Sequence, residues 1–352
     1  MKTNYYLCIT EYHVLLSILL SVEEYGDPAR YVNRIVLCNE GRFNNRTKYD
    51  LSSYNNIEYA VYEKDFVKSS SFIKLILNEC TGILFLFNLN NPHFIYLAYK
   101  LRRIKQAQTS FVQEGLASYN YLSYSFKQRL GLLRYHITCL LKYKIYDLPF
   151  HLYAFGIRGM FGRIFDYYDK VIDSRVVSSF WLSHPDYAKY GRNKLHKLPD
   201  FGEQSKNAAN VFFKYRNTLQ LKVNDIVFID QRIEGSFDFI AQLGAQLQNT
   251  DIYIKLHPRT PQSWADDYKK NKNVHILTQL TGIPIELFLQ NLHKAIVITP
   301  FSSALLINNE SCHYYYAYKW FVNNGYDIEN NELVIPGQHV KILENVRDIT
   351  LY

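Results

Sequence analysis

Short apolar runs and longer stretches with helical spacing alternate along this chain. Runs of strand length fall at Tyr5–Thr10, Arg34–Cys38, Glu58–Glu63, Gly82–Asn88 and Thr109–Gln113. Between them, apolar residues recur at steps of three and four over Glu11–Tyr25, Asp65–Cys80 and Pro92–Lys105, the spacing of one helix face. Such alternation predicts a parallel sheet with helices on its faces. Residues 118–165 break the pattern. They are aromatic and basic, with apolar patches such as Leu130–Leu133 and Ile137–Leu141, and read as helices inserted into the first sheet unit. A turn-rich stretch from Lys197 through Gly202 to Asn207 marks a domain junction. Alternation then restarts, with strands at Asp225–Asp230, Val274–Leu277 and Ala295–Thr299, a helix turning Phe239, Ile240, Leu243 and Leu247 inward, and another from Pro284 to about Leu292. The predicted organisation is α/β, with two Rossmann-like domains at 1–200 and 205–330 and a tail at 331–352. A length of 352 residues exceeds what one core usually serves, which agrees with two domains.

One strand runs into a histidine. In Asp251–Arg259, Ile252, Ile254 and Leu256 alternate with Tyr253 and Lys255, and Pro258 cannot continue a ladder. His257 is thereby expected at the C-terminal rim of a sheet, where open α/β folds bind ligands. Lys255 and Arg259 flank it, a setting for an anionic ligand and a proton donor; an ordinary rim histidine is the duller alternative. Two further strand ends stand out. Phe111-Val-Gln113-Glu114-Gly115 ends at an acid and a glycine, and Ile298-Thr-Pro-Phe-Ser302-Ser303 passes into a helix headed by two hydroxyls. Helix N-termini offer free N–H groups and positive partial charge, so Ser302 and Ser303 with His257 would form a phosphate pocket that Glu114 reaches across a cleft. Taken singly, each has a plain structural reading: a strand-to-turn transition for Glu114, a helix cap for the serines, a favourable helix dipole for Glu286. A second His-Pro, His184-Pro185, follows Phe180-Trp-Leu-Ser183 without strand alternation and is expected to be structural, with acceptor binding as the alternative.

Charge changes the picture in one place. The net charge is +8, and between Lys100 and Asp147 nine basic residues face two acidic ones, a balance of +7 in that segment alone. Nucleic acid, an anionic membrane face or an acidic substrate would each suit it. No recognised nucleic-acid module accompanies it, so no nucleic-acid partner is expected, and docking on an anionic inner membrane face is the favoured reading. Tyrosine is abundant, at 31 residues, which suits sugar or membrane-surface contact but equally a compositional bias. Five scattered cysteines, without CxxC spacing or a Cys/His cluster, indicate neither a disulfide framework nor a zinc site. Glu11 and His13 interrupt the first apolar run, and no charge-free window is long enough to span a bilayer. The expectation is a cytoplasmic protein, peripheral at most.

At the acid-Gly, His-Pro and Ser-Ser motifs, the sequence resembles bacterial sialyltransferases of the lipooligosaccharide and capsule (polysialyltransferase-like) type, with a GT-B fold. The likeness extends to Tyr12-His13-Val-Leu-Leu and to Gly282-Ile-Pro284-Ile-Glu286. It implies an inverting, metal-independent transfer of sialic acid from CMP-sialic acid to a sugar hydroxyl of a surface glycan, with no cofactor; the membrane-docking reading of the basic segment adds a lipid-linked acceptor. By the same resemblance Glu114 is the general base and His257 the general acid at the departing phosphate. Ser302 and Ser303 hold that phosphate, Glu286 binds the ribose hydroxyls, and Lys255, Pro258 and Arg259 complete the donor side. The acceptor residues stay unassigned. The family pattern has two acids before the glycine, and here the first is Gln113. Rival readings are a CDP-polyol phosphotransferase of teichoic-acid type, in which an aspartate closely precedes the serines, and a basic binding protein without catalysis.

Overall fold

The computed structural model describes residues 1–39, 54–88, 92–105, 107–115, 119, 134, 137–138, 141–142, 177–188, 194–215, 219, 221–257, 260–280, 283–306, 308–328 and 339–352. The chain divides into two compact units, Met1–Lys214 and Tyr215–Tyr352. The expected inserted helices at 118–165 lie almost entirely outside the described residues.

The first unit is built on a seven-stranded parallel sheet: β1 (Lys2–Cys8), β2 (Tyr31–Asn39), β3 (Ile57–Glu63), β4 (Ile83–Leu86), β5 (Gln108–Val112), β6 (Ser179–Leu182) and β7 (Leu195–Lys197), ordered β3-β2-β1-β4-β5-β6-β7. Helix α1 (Glu11–Glu23) follows β1, α2 (Lys64–Val67) and α3 (Ser70–Glu79) follow β3, and α4 (Pro92–Lys105) follows β4; the link between β2 and β3, residues 40–53, lies outside the described residues. Strand order reverses between β1 and β4, so the sheet is doubly wound and carries a crevice at its C-terminal edge there. Leu84, Phe85 and Leu86 of β4 are buried, as expected of strands covered on both faces. That same property hid β6 from pattern reading: Phe180, Trp181 and Leu182 are all buried and so do not alternate. The stretch set aside as lacking strand character is an inner strand hydrogen-bonded between β5 and β7.

The second unit repeats the design with six parallel strands, β8 (Ile226–Ile229), β9 (Ile252–Lys255), β10 (Val274–Ile276), β11 (Ile296–Thr299), β12 (His313–Tyr316) and β13 (Val340–Ile342), ordered β10-β9-β8-β11-β12-β13. Its switch point lies between β8 and β11, whose residues are buried throughout.

Three expectations need correction. The division falls after Lys214, not within 200–205, because helix α5 (Glu203–Phe212) packs on α1: Phe212 meets Tyr59 edge-on at 4.9 Å and Gly202 N donates to Glu23 Oε1 at 3.2 Å. Residues 339–352 are no tail, since β13 pairs with β12, Leu343 and Val346 join the core, and Tyr352 stacks on His313 at 4.0 Å. The helix expected at Ser302 is a single 3-10 turn, Ser303–Leu306.

Buried polar residues tie the strands together. Asn4, fully buried, donates to Asn33 Oδ1 at 3.0 Å and accepts from Ile83 N at 2.9 Å, joining β1 to β2 and β4. Gly82 lies so close that an added Cβ would sit 2.3 Å from Asn4 Oδ1 and 3.2 Å from Thr3 O. Neither atom can retreat without breaking a sheet bond. Gly82→Ala is therefore expected to destabilise the first unit by about 1–3 kcal/mol, read as a lowered urea midpoint.

Candidate functional site

In the first unit, β5 ends at Val112, and the next two residues point to opposite fates. Gln113 is fully buried, and Glu114 is exposed. The Gln113 amide donates to Tyr12 OH and to Ser183 Oγ, both at 2.8 Å. Its oxygen accepts from Ser183 N at 2.8 Å and from Tyr119 OH at 2.6 Å. Two donors and two lone pairs are thus all engaged. The residue that takes the family's first acid position here is a neutral cross-link, and Glu114 is the carboxylate that reaches solvent. His13, one residue from Tyr12, is buried, accepts from Ile9 N at 3.1 Å through Nδ1 and stacks on Phe87 at 4.6 Å. Burial pulls its pKa down to about 3, so it stays neutral.

In the second unit, β9 ends at Lys255, two residues before His257, which is half-buried at the C-terminal edge. Pro258 and Arg259 lie outside the described residues. The chain turns back there through Thr260 N donating to His257 O at 2.8 Å. Ser302 and Ser303, also half-buried, follow β11. Since β8 separates β9 from β11, the strand ends Lys255 and Thr299, from which the chain runs on to His257 and Ser302, stand roughly 10 Å apart, two strand spacings. The serines therefore flank the histidine with a strand between them. Ser302 Oγ accepts from Ala304 N at 3.2 Å, and Tyr316 OH donates to Ser302 O at 3.0 Å, which fixes the turn. With only one 3-10 turn behind them, the serines offer hydroxyls but no helix end. The expected dipole contribution is withdrawn on that ground.

Lys255 does not point freely at a ligand. Its Nζ donates to Leu280 O at 2.9 Å. Glu286, in the short helix α8 (Ile285–Leu289) that follows helices α6 (Ser236–Gln246) and α7 (Gln262–Tyr268), is 6% exposed. Burial pushes its carboxyl up to about 7, against the opposing pull of Lys255.

Pattern reading missed Asp230. It is fully buried just beyond β8, between the His257 and Ser302 strand ends. It accepts from Thr260 Oγ1 at 2.9 Å, Arg232 N at 3.0 Å and Tyr268 OH at 3.3 Å. Thr260 closes the turn that begins at His257, so Asp230 holds that turn against β8. An acid closing the apolar run Ile226–Ile229 was the available signal.

The solved structure of an alpha/beta-galactoside alpha-2,3-sialyltransferase from the luminous marine bacterium Photobacterium phosphoreum is similar to this chain, with a TM-score of 0.57 at 14% identity, covering 99% of this chain and 100% of that one. A sialyltransferase from Photobacterium damsela is similar at a TM-score of 0.49 and 11% identity, covering 89% of this chain and 73% of that one. No curated protein sequence matches the chain. Two parallel α/β units of this kind make up the GT-B fold. Within that fold, the family model described as Alpha-2,8-polysialyltransferase (POLYST) matches residues 42–314, and the chain belongs to that family. It is a sialyltransferase that depends on CMP-sialic acid and therefore takes a nucleotide-sugar donor and a glycan acceptor.

Two outcomes follow from this geometry. Thr260→Val deletes the hydroxyl that Asp230 accepts from and is expected to cost about 1.5–3 kcal/mol of stability, the range for a bond to a charged group, together with a fall in turnover. Glu286 binds its proton more tightly folded than unfolded. The stability it supplies is complete below the ordinary value of 4.5 and is lost as pH rises through about 7, a decline of about 3 kcal/mol. Glu286→Gln should flatten that decline in unfolding curves taken from pH 5 to pH 8, and a slope equal to wild type would refute it.

Proposed function

We propose that this enzyme moves sialic acid from CMP-sialic acid to a hydroxyl of a bacterial surface glycan by a single inverting displacement without a metal. The acceptor class suggested by the family description is another sialic acid, joined through an α-2,8 linkage. Glu114 takes the acceptor proton as the oxygen attacks the anomeric carbon. The bond from that carbon to the CMP phosphate breaks, and its electron pair leaves on the phosphate oxygen. His257 donates a proton or hydrogen bond to that oxygen, with the Ser302 and Ser303 hydroxyls as further donors. Glu286 serves the ribose hydroxyls, to which its carboxyl can donate or accept. Arg259 and Pro258 complete the donor side, and Lys255 contributes by holding the Leu280 carbonyl.

One observation carries the reading: Glu114 is exposed at a sheet's C-terminal edge while its neighbour Gln113 is buried and fully bonded, leaving Glu114 as the group able to exchange a proton. Peripheral membrane contact and a lipid-linked acceptor belong to the same proposal. Their support is exposed Arg102, Arg103 and Ile104 on α4 and exposed Arg134, Ile137, Leu141 and Lys142 beyond it, a mix of cations and apolar groups that suits an anionic bilayer surface. Among the described residues no helix is long and apolar enough to cross a membrane.

The test is incubation with CMP-sialic acid and a panel of sialosides and galactosides, read by mass spectrometry, with CDP-glycerol as the competing donor and a parallel run in chelator. Release of CMP with growth of a sialoside, undiminished by chelator, is the expected result. His257→Ala and Glu114→Gln should each lower transfer on the order of 10²–10⁴-fold with unchanged circular dichroism. Turnover of CDP-glycerol in place of CMP-sialic acid, or full activity in either variant, overturns the assignment.

A further inference from the structure

The second His-Pro motif, His184-Pro185, lies directly past β6, the neighbour of β5. Val112 pairs with Trp181, and Gln113 N donates to Trp181 O at 3.0 Å. Glu114 and His184 therefore leave the sheet from adjacent strands, Glu114 two residues past Val112 and His184 three past its partner Trp181. Both exits are held by one polar hub. Gln113 grips Ser183 twice, through the backbone N–H and the hydroxyl, and Tyr119 OH donates to Gln113 while accepting from His184 N at 3.1 Å. Tyr119 is fully buried, and burial pushes its hydroxyl well above the usual range, so it acts only as a neutral donor and acceptor. A fold needing only stability would fill this space with apolar groups, because buried polar networks repay their desolvation only when every bond is made. What the hub supplies is direction. It sets where the chain emerges on either side of Ser183 and Gln113.

The turn it presents has the chemistry of a sugar site. The His184 ring is half-buried and meets the Tyr187 ring edge-on at 6.0 Å. Tyr187 is 38% exposed and offers a ring face, and exposed Asp186 between them can accept from sugar hydroxyls. A sialoside acceptor brings its own carboxylate up to Glu114, and two negative charges at that spacing repel. An imidazole N–H on the next strand is the group placed to donate to that carboxylate and hold it beside Glu114.

We propose that His184 is an acceptor-binding residue that receives the carboxylate of a sialoside beside Glu114, and that Gln113 is the positioning residue that aligns the two. The proposal rests on the function proposed above for its acceptor class. It does not require that transfer occur, because binding can be read without donor.

The experiment measures binding of an α-2,8-linked sialic acid oligomer to the full chain by titration calorimetry, with CMP binding measured alongside. His184→Ala is expected to weaken oligomer binding on the order of ten-fold or more while leaving CMP affinity and the melting temperature unchanged. His184→Gln should recover part of the loss through its amide donor. For Gln113, the Leu variant is expected to raise the acceptor KM and lower kcat. Gln113→Glu should retain the acceptor KM, since Tyr12 and Ser183 hydroxyls can turn to donate to it. Unchanged oligomer affinity in His184→Ala, equal loss of a neutral galactoside, or parallel loss of CMP binding each overturns the proposal. A wild type that binds the oligomer but releases no CMP from CMP-sialic acid refutes the transfer reading and leaves this subsite standing.

Discussion

Each strand in both sheets runs parallel to its neighbours, so the chain must return along a helix or loop after every strand. All C-terminal strand ends of a unit consequently open on one edge, and none of the inner strands can host chemistry within its length. Ile226–Ile229 and Ile296–Thr299 are buried throughout, with one polar side chain between them: Thr299, whose hydroxyl donates to Ile229 O at 2.9 Å. Polar side chains that can meet a ligand, or hold the turns that do, thus fall in the first few positions after each strand. Glu114 and His184 share such an edge in the first unit, and Asp230, His257 and Ser302 share one in the second, although each set comes from distant parts of the sequence. The core decides where these residues stand but not which way they face.

Facing is decided by a second layer of contacts. Gln113 and Asp230 are each the first residue after a strand, each fully buried, and each bonded to three other residues. Their partners explain their chemistry. Asp230 meets an N–H and two hydroxyls, all able to donate, which suits an acceptor-only carboxyl. Gln113 meets one N–H and three hydroxyls, and its amide donates to two of these and accepts from the others. Each bond adds only about 0.5–1.5 kcal/mol net, but deleting one partner strands a buried polar atom at about 1–3 kcal/mol. Such pins contribute little to total stability and much to geometry.

This two-layer arrangement explains what pattern reading could reach. Apolar periodicity recovered nine strands and the main helices within a few residues, because burial of alternating or continuous apolar runs is a local signal. It also brought Glu114, His257, Glu286 and the two serines to strand or helix ends. It missed β6, whose fully buried residues carry no alternation, and the helical character assumed at Ser302 gave way to a short turn. Neither polar hub was visible, since Gln113 finds Tyr12 at 101 residues' separation and Ser183 at 70, and nothing local announces either partner. The domain junction was misplaced for the same kind of reason: Leu198–Gly202 does break the regular structure, yet Phe212 beyond it packs on Tyr59 of the first unit.

Burial also sorts the titratable groups into those that can exchange protons and those that cannot. His13 sits one residue from the Gln113 hub, but with its pKa near 3 it is neutral at any physiological pH. The Ile9 N–H aimed at its Nδ1 leaves the proton on Nε2, so it is a fixed donor and not an acid or base. Glu286, equally buried, is carried in the other direction to about 7, well above the usual carboxylate range. Full burial thus removes one histidine from acid–base work and brings one carboxyl into range for it. The more exposed ionisable groups at these edges are Glu114 in one unit and the half-buried His257 in the other. A proton taken from an alcohol and a proton given to a phosphate require residues in contact with substrate, and partial exposure at a strand end meets that requirement where a core position does not.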